Sequence, residues 1–507
     1  MTSSALEKQV SAFRELAKKI VSFGHTLAVL DWDMRVNGPS KGMESRAEMI
    51  GVISGEHFKL LTSKEMESFL AELSEPDTLA SLDPVTRGSV LEYRKEYEKN
   101  QKIPIDRYQE NVVLTSQSST VWEQARAKND FAMFRPYLEK VVAMQIEFID
   151  YWGKKGDNVY DTLLGHYESG MTVTQLDKMF GLLREKTVPL LQAISNSAHQ
   201  PDTSFLTKFF DEKQQEEFGR RIIAKLGYDF QAGRLDRSVH PFCTMFGSRD
   251  VRITTRFDPH FFNMALFGTI HEAGHAMYEQ NISPDLFGTP LGTGTSMGIH
   301  ESQSRFWENV VGRSLPFWKH FHKDLTKEFP TQFAGVDEGQ FYRGINQVKP
   351  SLIRVEADEL TYNLHIMIRY EIEKALINKT YEVADLPEIW KQKMRDYLGI
   401  DVPTDKEGVL QDVHWSSGLF GYFPTYSLGN VYSAQFLHAL KKEITNFDEL
   451  IENGEFTPIR TWFVDKIYQY GKLKSPNQLL QDITGELTNA SYLVEYLESK
   501  YKRIYQL

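Results

Sequence analysis

Three residues that can perform metal chemistry lie in one short segment, HEAGH, which contains His271, Glu272 and His275. On an α-helix, residues four positions apart share a face with Cβ atoms about 5–6 Å apart, so both imidazoles can reach one Zn²⁺ ion. Glu272 projects beside that ion, where its carboxylate can accept a proton from a bound water. The spacing predicts two metal ligands and a general base for hydrolysis, and Ala273 and Gly274 leave room for a substrate or a packed neighbour.

The alternative interpretation is that two histidines and a glutamate share this helix by chance. In a chain with 14 histidines, an accidental H-E-x-x-H has a probability of roughly a few per cent. The preceding segment 261–270, FFNMALFGTI, is almost wholly apolar, so the helix is predicted to be buried. Buried ionisable groups without partners are costly, and metal coordination satisfies them. The context therefore favours the metal interpretation.

A catalytic zinc ion usually has three protein ligands and leaves the fourth position for water. The candidate third ligand is Glu301, 26 residues after His275 and just past a glycine-rich segment, 286–300, that we interpret as a connecting loop. Its neighbour His300 is the alternative ligand, or it lines the pocket. Position 281 holds Asn281, which excludes the HExxHxxGxxH pattern.

Most of the chain is predicted to be helical. Apolar residues recur at three- and four-residue intervals over 6–23, which indicates an amphipathic helix. The clearest strand is 250–257, where apolar and polar residues alternate. No repeat or linker-like tract divides the sequence, so we predict one large helical domain, 1–507, with a small sheet. Further helices are predicted at 137–152, 211–227, 358–376 and 432–444.

The composition sets limits on function and location. The 507 residues are 41% hydrophobic and 25% charged, as in an ordinary globular protein, and the net charge of −11 argues against nucleic-acid binding. A single cysteine, Cys243, excludes an internal disulfide framework. No apolar run approaches the roughly 20 residues that span a bilayer, and the N-terminus lacks the apolar core of a signal peptide. We therefore expect a cytoplasmic protein that binds no membrane.

Six motifs, taken in order, resemble the carboxypeptidase Taq family of zinc metallocarboxypeptidases. The resemblance runs from about residue 20 to the C-terminus, and every motif position agrees with the family pattern. The motifs are HPF (240–242), DVRIT (250–254), HEAGH (271–275), HESQS (300–304), IRVEAD (353–358) and GVLQDVHW (408–415).

The resemblance implies a mainly α fold with a deep groove, similar to neurolysin, and a small β-sheet near an active site within about 240–430. It implies removal of single amino acids from peptide C-termini with broad side-chain preference. It also implies a homodimer and one Zn²⁺ per subunit, for which Co²⁺ can substitute.

Residue roles follow from the matched motifs. The resemblance makes His271, His275 and Glu301 the metal ligands and Glu272 the general base. Arg354 and His414 match positions that grip the substrate carboxylate, and Tyr426 matches a tyrosine that supports the tetrahedral intermediate. From the residues alone, Tyr422 is an equal candidate for that tyrosine. The substrate site is further predicted to include His240 and His300.

Other polar residues in the motifs are predicted to support the site. We expect Asp250, Arg252 and Thr254 to form a buried polar network that shapes the groove wall. Asp358 and Asp412 are the candidates for a carboxylate that orients a zinc-bound imidazole; the sequence does not distinguish between them.

Two other functions remain open on the residues alone. An endopeptidase or aminopeptidase can use the same H-E-x-x-H helix. A helical scaffold with a structural zinc is the second alternative, but such a site usually has four Cys or His ligands, and Cys243 lies far from the motif in sequence.

Overall fold

The computed structural model describes residues 3–247 and 249–507. Helices account for 69% of it, which confirms the predicted mainly α fold. The first ten α-helices are α1 Ser3–Val36, α2 Met43–Leu61, α3 Lys64–Leu73, α4 Pro76–Ser81, α5 Pro84–Gln101, α6 Ile105–Lys128, α7 Phe131–Trp152, α8 Asp161–Leu164, α9 Val173–Asn196 and α10 Glu212–Leu226.

The second half of the chain contains eleven more α-helices among the described residues. One of them, α12, continues directly into a π-helical segment, Phe306–Gly312. These helices are α11 Phe262–Gln280, α12 Met297–Arg305, α13 Leu315–Glu328, α14 Glu338–Ile345, α15 Glu359–Ile377, α16 Leu386–Leu398, α17 Pro424–Glu443, α18 Phe447–Glu452, α19 Thr457–Lys466, α20 Pro476–Thr484 and α21 Ser491–Tyr505.

The buried apolar side chains form two clusters. A small one joins the N-terminal helices and includes Phe13, Leu70 and Tyr93. The large one extends from Leu114 to Tyr505 and contains the helices that carry the sequence motifs. Within the described ranges, no helix has the length and apolar character that crossing a membrane requires.

Local sequence signals explain where several of these helices begin and end. Asp211 caps the start of α10: its carboxylate accepts hydrogen bonds from the backbone N–H groups of Lys213 and Gln214. Gly227, with φ of 117°, caps the end of the helix. The first cap satisfies N–H groups that have no partner within the helix, and glycine adopts positive φ without steric cost. The predicted helix at 211–227 is therefore confirmed, as is that at 358–376, which is α15.

A three-stranded sheet lies beside α11. Its strands are β1 Leu235–Arg237, β2 Cys243–Met245 and β3 Val251–Thr255, in the order β1-β3-β2. The central strand β3 pairs with β1 in parallel and with β2 in antiparallel register, and it is the strand predicted over 250–257. The sequence did not predict β1 and β2, because three residues are too few to show a period of two.

Glycines allow three helices to approach very closely. A Cβ atom on Gly274 of α11 would lie 2.7 Å from the Cα of Ser304 in α12. A Cβ atom on Gly429 of α17 would lie 2.6 Å from the Cβ of Glu301, also in α12. Carbon atoms in contact normally stay about 3.5–4.0 Å apart. Only glycine fits at these two positions, so α12 is held between α11 and α17.

We expect Gly274→Ala to destabilise the protein by about 1–3 kcal/mol, because α11 and the backbone of α12 must move apart. Gly268→Ala, six residues away on the same helix, meets no atom within 4 Å. It should therefore stabilise α11 by up to about 1 kcal/mol through the better helix propensity of alanine. Urea unfolding of both variants measures the difference; equal stability would contradict the close packing at Gly274.

Candidate metal centre

The three predicted metal ligands meet at the interface of α11 and α12. Helix α11 presents His271 and His275 one turn apart, and α12 directs Glu301 between them. The Oε2 atom of Glu301 lies 3.5 Å from Nε2 of His271 and 3.3 Å from Nε2 of His275. All three ligand atoms lie within 4.8 Å of one another, which makes this group able to hold a metal ion.

The first imidazole is oriented by a carboxylate from the π-helical segment. Nδ1 of His271 lies 2.9 Å from Oε2 of Glu308. Burial by itself would raise the pKa of Glu308, but the charge of Arg305 and the bond to His271 outweigh it and lower the pKa to about 2. An ionised carboxylate only accepts hydrogen bonds, so Nδ1 carries the proton and Nε2 keeps its lone pair.

The second imidazole is oriented through another histidine. Nε2 of His300 lies 2.9 Å from Oε1 of Glu279, and Nδ1 of His300 lies 2.6 Å from Nδ1 of His275. The ionised carboxylate of Glu279 only accepts, so Nε2 of neutral His300 donates to it and Nδ1 of His300 accepts from Nδ1–H of His275. The lone pair on Nε2 of His275 then also faces Glu301. Burial lowers the pKa of His275 to about 4, which keeps it neutral.

The donor set therefore fits a divalent metal ion. Two imidazole nitrogens with free lone pairs and one carboxylate oxygen converge, and the partners behind both imidazoles fix their orientation. This combination of two His and one Glu is a ligand set of catalytic zinc sites.

The general-base candidate Glu272 lies on the same turn of α11. Its side chain is only 7% exposed, and burial raises the pKa of its carboxyl to about 7. A carboxylate with a raised pKa is a stronger base than an exposed one. The position and basicity of Glu272 therefore suit proton transfer beside the ligand atoms.

A second group of charged residues surrounds Asp412. Its Oδ1 atom accepts hydrogen bonds from Nε and Nη2 of Arg354, at 3.0 and 2.7 Å, and its Oδ2 atom accepts one from Nε of Arg369, at 2.7 Å. Burial tends to raise the pKa of Asp412, but the two guanidinium groups outweigh it and hold the pKa well below its usual range. Because two buried cations share one anion, the group has an excess positive charge.

Tyr362 connects the metal-ligand group with the charged group around Asp412. The ring of Tyr362 faces the guanidinium of Arg305, 4.4 Å from its centroid, and its hydroxyl accepts a hydrogen bond of 3.1 Å from Nη1 of Arg354. Arg305 in turn donates from Nε to Oε1 of Glu301 at 2.7 Å. A continuous chain of contacts therefore runs from the metal ligand Glu301 to Arg354.

The other two candidate tyrosines lie beside this chain. The hydroxyl of Tyr426 lies 3.3 Å from Nε2 of His414, and its ring is 5.1 Å from the guanidinium of Arg354. Burial raises the pKa of Tyr426 and of Tyr422, and the charges of both Glu301 and Arg354 act on each phenol. Both hydroxyls are thus protonated and able to donate hydrogen bonds. Burial also lowers the pKa of His414 to about 4, so its imidazole is neutral.

Comparison with known proteins identifies the family to which these residues belong. The model of the carboxypeptidase Taq (M32) metallopeptidase family matches residues 12–501. The chain belongs to this family. It is 47% identical over 495 residues to carboxypeptidase 1 of Bacillus subtilis, with 98% of each chain covered, and 40% identical over 515 residues to thermostable carboxypeptidase 1 of Thermus thermophilus, with 100% of each covered.

A solved structure agrees over the whole fold. The crystal structure of the M32 carboxypeptidase from Deinococcus radiodurans has a TM-score of 0.96 and 37% sequence identity, and the alignment covers 99% of this chain and 100% of that one. Membership of the carboxypeptidase Taq family makes this protein a metallocarboxypeptidase, a hydrolase of peptide bonds that uses a divalent metal ion.

The structure corrects the prediction of which carboxylate orients a metal-bound imidazole. The carboxylate that contacts His271 is Glu308, so the assignment of Asp358 or Asp412 to this position is wrong. Asp358 caps the start of α15, where it accepts hydrogen bonds from the backbone N–H groups of Leu360 and Thr361. Asp412 is occupied by the two arginines described above. The error arose because an isolated Asp in a motif does not reveal which helix end or cation it faces.

The predicted network at the sheet is also corrected. Asp250 and Arg252 form an ion pair of 2.7 Å in which the Asp250 side chain is 41% exposed, so it is not a buried network. Thr254 is fully buried and separate from that pair; its hydroxyl accepts a hydrogen bond of 3.0 Å from the backbone N–H of Phe242. The side chain of His240 is exposed and lies outside the metal-ligand group, so its substrate role stays a prediction.

The sequence did not predict five supporting residues, although helical spacing carried a signal for three of them. The five are Glu279, Arg305, Glu308, Arg369 and Tyr362. Glu279 is four positions after His275, and Arg305 and Glu308 are four and seven positions after Glu301, so all three share the face of the ligand before them. Arg369 gave no comparable signal, since it meets Asp412 only in the folded chain.

We expect Glu308→Gln to weaken metal binding by roughly 10- to 100-fold, because the amide cannot hold the His271 tautomer with a charge-assisted bond. Asp358→Asn is the matched control: it should lower the melting temperature through the weakened cap on α15 and leave metal affinity unchanged. Titration of the metal-free variants with Zn²⁺ measures both affinities. Loss of affinity in Asp358→Asn alone would restore the original assignment.

Proposed function

We propose that this protein is a zinc-dependent carboxypeptidase that releases single amino acids, with broad side-chain preference, from the C-termini of peptides. The observation that carries the proposal is the chain of contacts that joins a His-His-Glu metal centre to a buried arginine with spare donors. The metal centre suits peptide hydrolysis, and the buried arginine suits recognition of a free carboxylate. We extend the proposal to a cytoplasmic homodimer, as the sequence-based interpretation predicts.

Zinc is the proposed metal because His271, His275 and Glu301 supply the two imidazoles and one carboxylate that its catalytic sites use. A closed structural zinc site would need a fourth Cys or His ligand instead of an open position. When bound, the metal supplies a Lewis acid that acidifies a water and polarises the substrate carbonyl. The remaining steps are carried out by side chains of this protein.

Glu272 is proposed to accept the proton of the attacking water and to pass it to the leaving amine. Its short distance along α11 from both histidine ligands and its pKa of about 7 support this role. Tyr426 is proposed to donate its hydroxyl hydrogen to the oxyanion that forms on the substrate carbonyl. An Nε2–H of the neutral His414 that donates to the Tyr426 oxygen, 3.3 Å away, leaves the hydroxyl hydrogen free for the oxyanion, and this supports the choice of Tyr426 over Tyr422.

Arg354 is proposed to bind the substrate's terminal carboxylate. Among contacts with described residues, three of its five N–H groups donate to Asp412 and Tyr362, which leaves two for a ligand. The side chain is 6% exposed, so a carboxylate bound there exchanges few contacts with water. Arg369 remains to neutralise Asp412 when Arg354 pairs with substrate. An aminopeptidase or endopeptidase would have no use for this excess positive charge.

We expect Glu272→Gln to retain close to one Zn²⁺ per subunit and to lose most of its turnover, because an amide cannot accept the proton. Metal analysis after dialysis and release of the C-terminal amino acid from a blocked dipeptide measure the two properties. Wild-type turnover in a variant with full metal content would exclude Glu272 as the base.

We expect Arg354→Ala to lower kcat/KM for peptides with a free C-terminal carboxylate by roughly 10- to 100-fold, since a charge-assisted pair contributes about 1.5–3 kcal/mol. Peptides with a C-terminal amide should be poor substrates of the wild type and should lose little more in the variant. Parallel assays of acid and amide peptides on both proteins give the comparison.

Arg354→Lys serves as the second variant, because it keeps the charge but lacks the planar pair of donors. It should recover part of the preference for acids over amides. N-terminal acetylation of the substrate should have no comparable effect. Equal losses on acid and amide peptides would show that Arg354 is structural and would remove this basis for carboxypeptidase specificity.

A further inference from the structure

The two carboxylate oxygens of Glu301 have different surroundings. Oε2 faces Nε2 of His271 and Nε2 of His275, at 3.5 and 3.3 Å, and is the oxygen in position to bind a metal ion. Oε2 also accepts a hydrogen bond of 3.0 Å from the hydroxyl of Ser304, whereas Oε1 accepts one of 2.7 Å from Nε of Arg305. The arginine therefore engages the other oxygen of the carboxylate.

Arg305 is itself held in place from two other directions. Its Nη1 group lies 3.3 Å from Oε2 of Glu308, the carboxylate that orients His271. The plane of its guanidinium lies over the ring of Tyr362, 4.4 Å from the centroid. One arginine thus connects the third metal ligand with the carboxylate behind the first.

The electrostatics of the cluster support a fixed position for this guanidinium. Its side chain is mostly buried between two buried carboxylates, those of Glu301 and Glu308. Its guanidinium contacts both: Nε donates to Oε1 of Glu301 at 2.7 Å, and Nη1 donates to Oε2 of Glu308 at 3.3 Å. Moving the guanidinium would leave these anions without their main partner in a region of low dielectric.

We infer that Arg305 is a positioning residue that restricts Glu301 to binding the metal through one oxygen. Metal binding through both oxygens would compete with the hydrogen bond that holds Oε1 to Arg305. With Oε1 retained, the protein contributes three ligand atoms, and the metal keeps an open position for water or the substrate carbonyl. The inference rests on the metal site of the proposed function and concerns only how Glu301 is held.

The test uses Co²⁺ as the metal, because its visible absorption bands weaken as the ion changes from four to five ligands. The metal-free wild type and Arg305→Gln are titrated with Co²⁺ by calorimetry and by absorption spectroscopy. We expect Arg305→Gln to bind Co²⁺ roughly 10- to 100-fold more weakly. At saturation, its bands should be weaker than those of the wild type, because Glu301 is then free to bind through both oxygens.

Arg313→Gln is the matched control. Arg313 also belongs to this cluster, but it contacts Glu308 at 3.3 Å and the backbone carbonyl of Ile345 at 2.7 Å, not Glu301. Its removal deletes the same charge and should leave the band intensity at saturation unchanged. Arg305→Lys covers the case in which Arg305→Gln does not fold: an ammonium on a flexible stem lacks the fixed, planar donors of the guanidinium and holds Oε1 less firmly, so affinity and band intensity should again fall, by less.

Three results would contradict either the inference on Arg305 or the metal site on which it rests. Wild-type band intensity in the folded Arg305 variants would overturn the inference. An equal loss of intensity in Arg313→Gln would also overturn it, because the effect would then come from charge alone and not from the contact with Oε1. Failure of the wild type to bind Co²⁺ or Zn²⁺ would instead overturn the metal site of the proposed function.

Discussion

The metal centre depends on how closely α12 can approach α11. Two ligands and the general base come from one turn of α11, but this turn cannot complete a site alone, because the third ligand must arrive from another helix. Gly274 allows the backbone of α12 to rest directly on α11, and Gly429 allows α17 to press α12 from the other side. A larger residue at either position would move Glu301 away from the imidazoles. Protein interiors are packed too densely to absorb such a shift.

A consequence of this close packing is that many charges become buried together. The carboxylates of Glu272, Glu279, Glu301 and Glu308 all lie in or beside the centre, and each would be costly in a region of low dielectric. The structure meets this cost with fixed partners. His300 donates to Glu279, while Arg305 contacts Glu301 and Glu308. Glu272 has none of these hydrogen-bonded partners, and burial raises the pKa of its carboxyl, which suits it to act as a base.

The same arrangement of fixed partners extends to the proposed carboxylate site. Arg354 and Arg369 share Asp412, and Tyr362 lies between Arg354 and Arg305. The distance between the metal-ligand residues and Arg354 is therefore set by side chains that are themselves hydrogen-bonded and buried. Rigid spacing of this kind converts binding of the chain terminus into correct placement of the last peptide bond.

The sequence by itself determined the chemistry, because helical periodicity places residues four apart on one face whatever the rest of the chain does. It predicted the helix of His271, Glu272 and His275 and the identity of Glu301 as the candidate third ligand, and it predicted the mainly α fold from apolar spacing and caps. It also suggested the family through six ordered motifs, which the family comparison confirms.

Only the tertiary structure decided which groups support that chemistry. The partners of the imidazoles, the second arginine on Asp412 and the bridge through Tyr362 are contacts between residues 8 to 58 positions apart. A hydrogen bond between distant residues depends on direction and on distances of about 3 Å, which no local pattern encodes. Asp358 shows the limit clearly: its motif marked it as important, and the fold uses it to cap a helix.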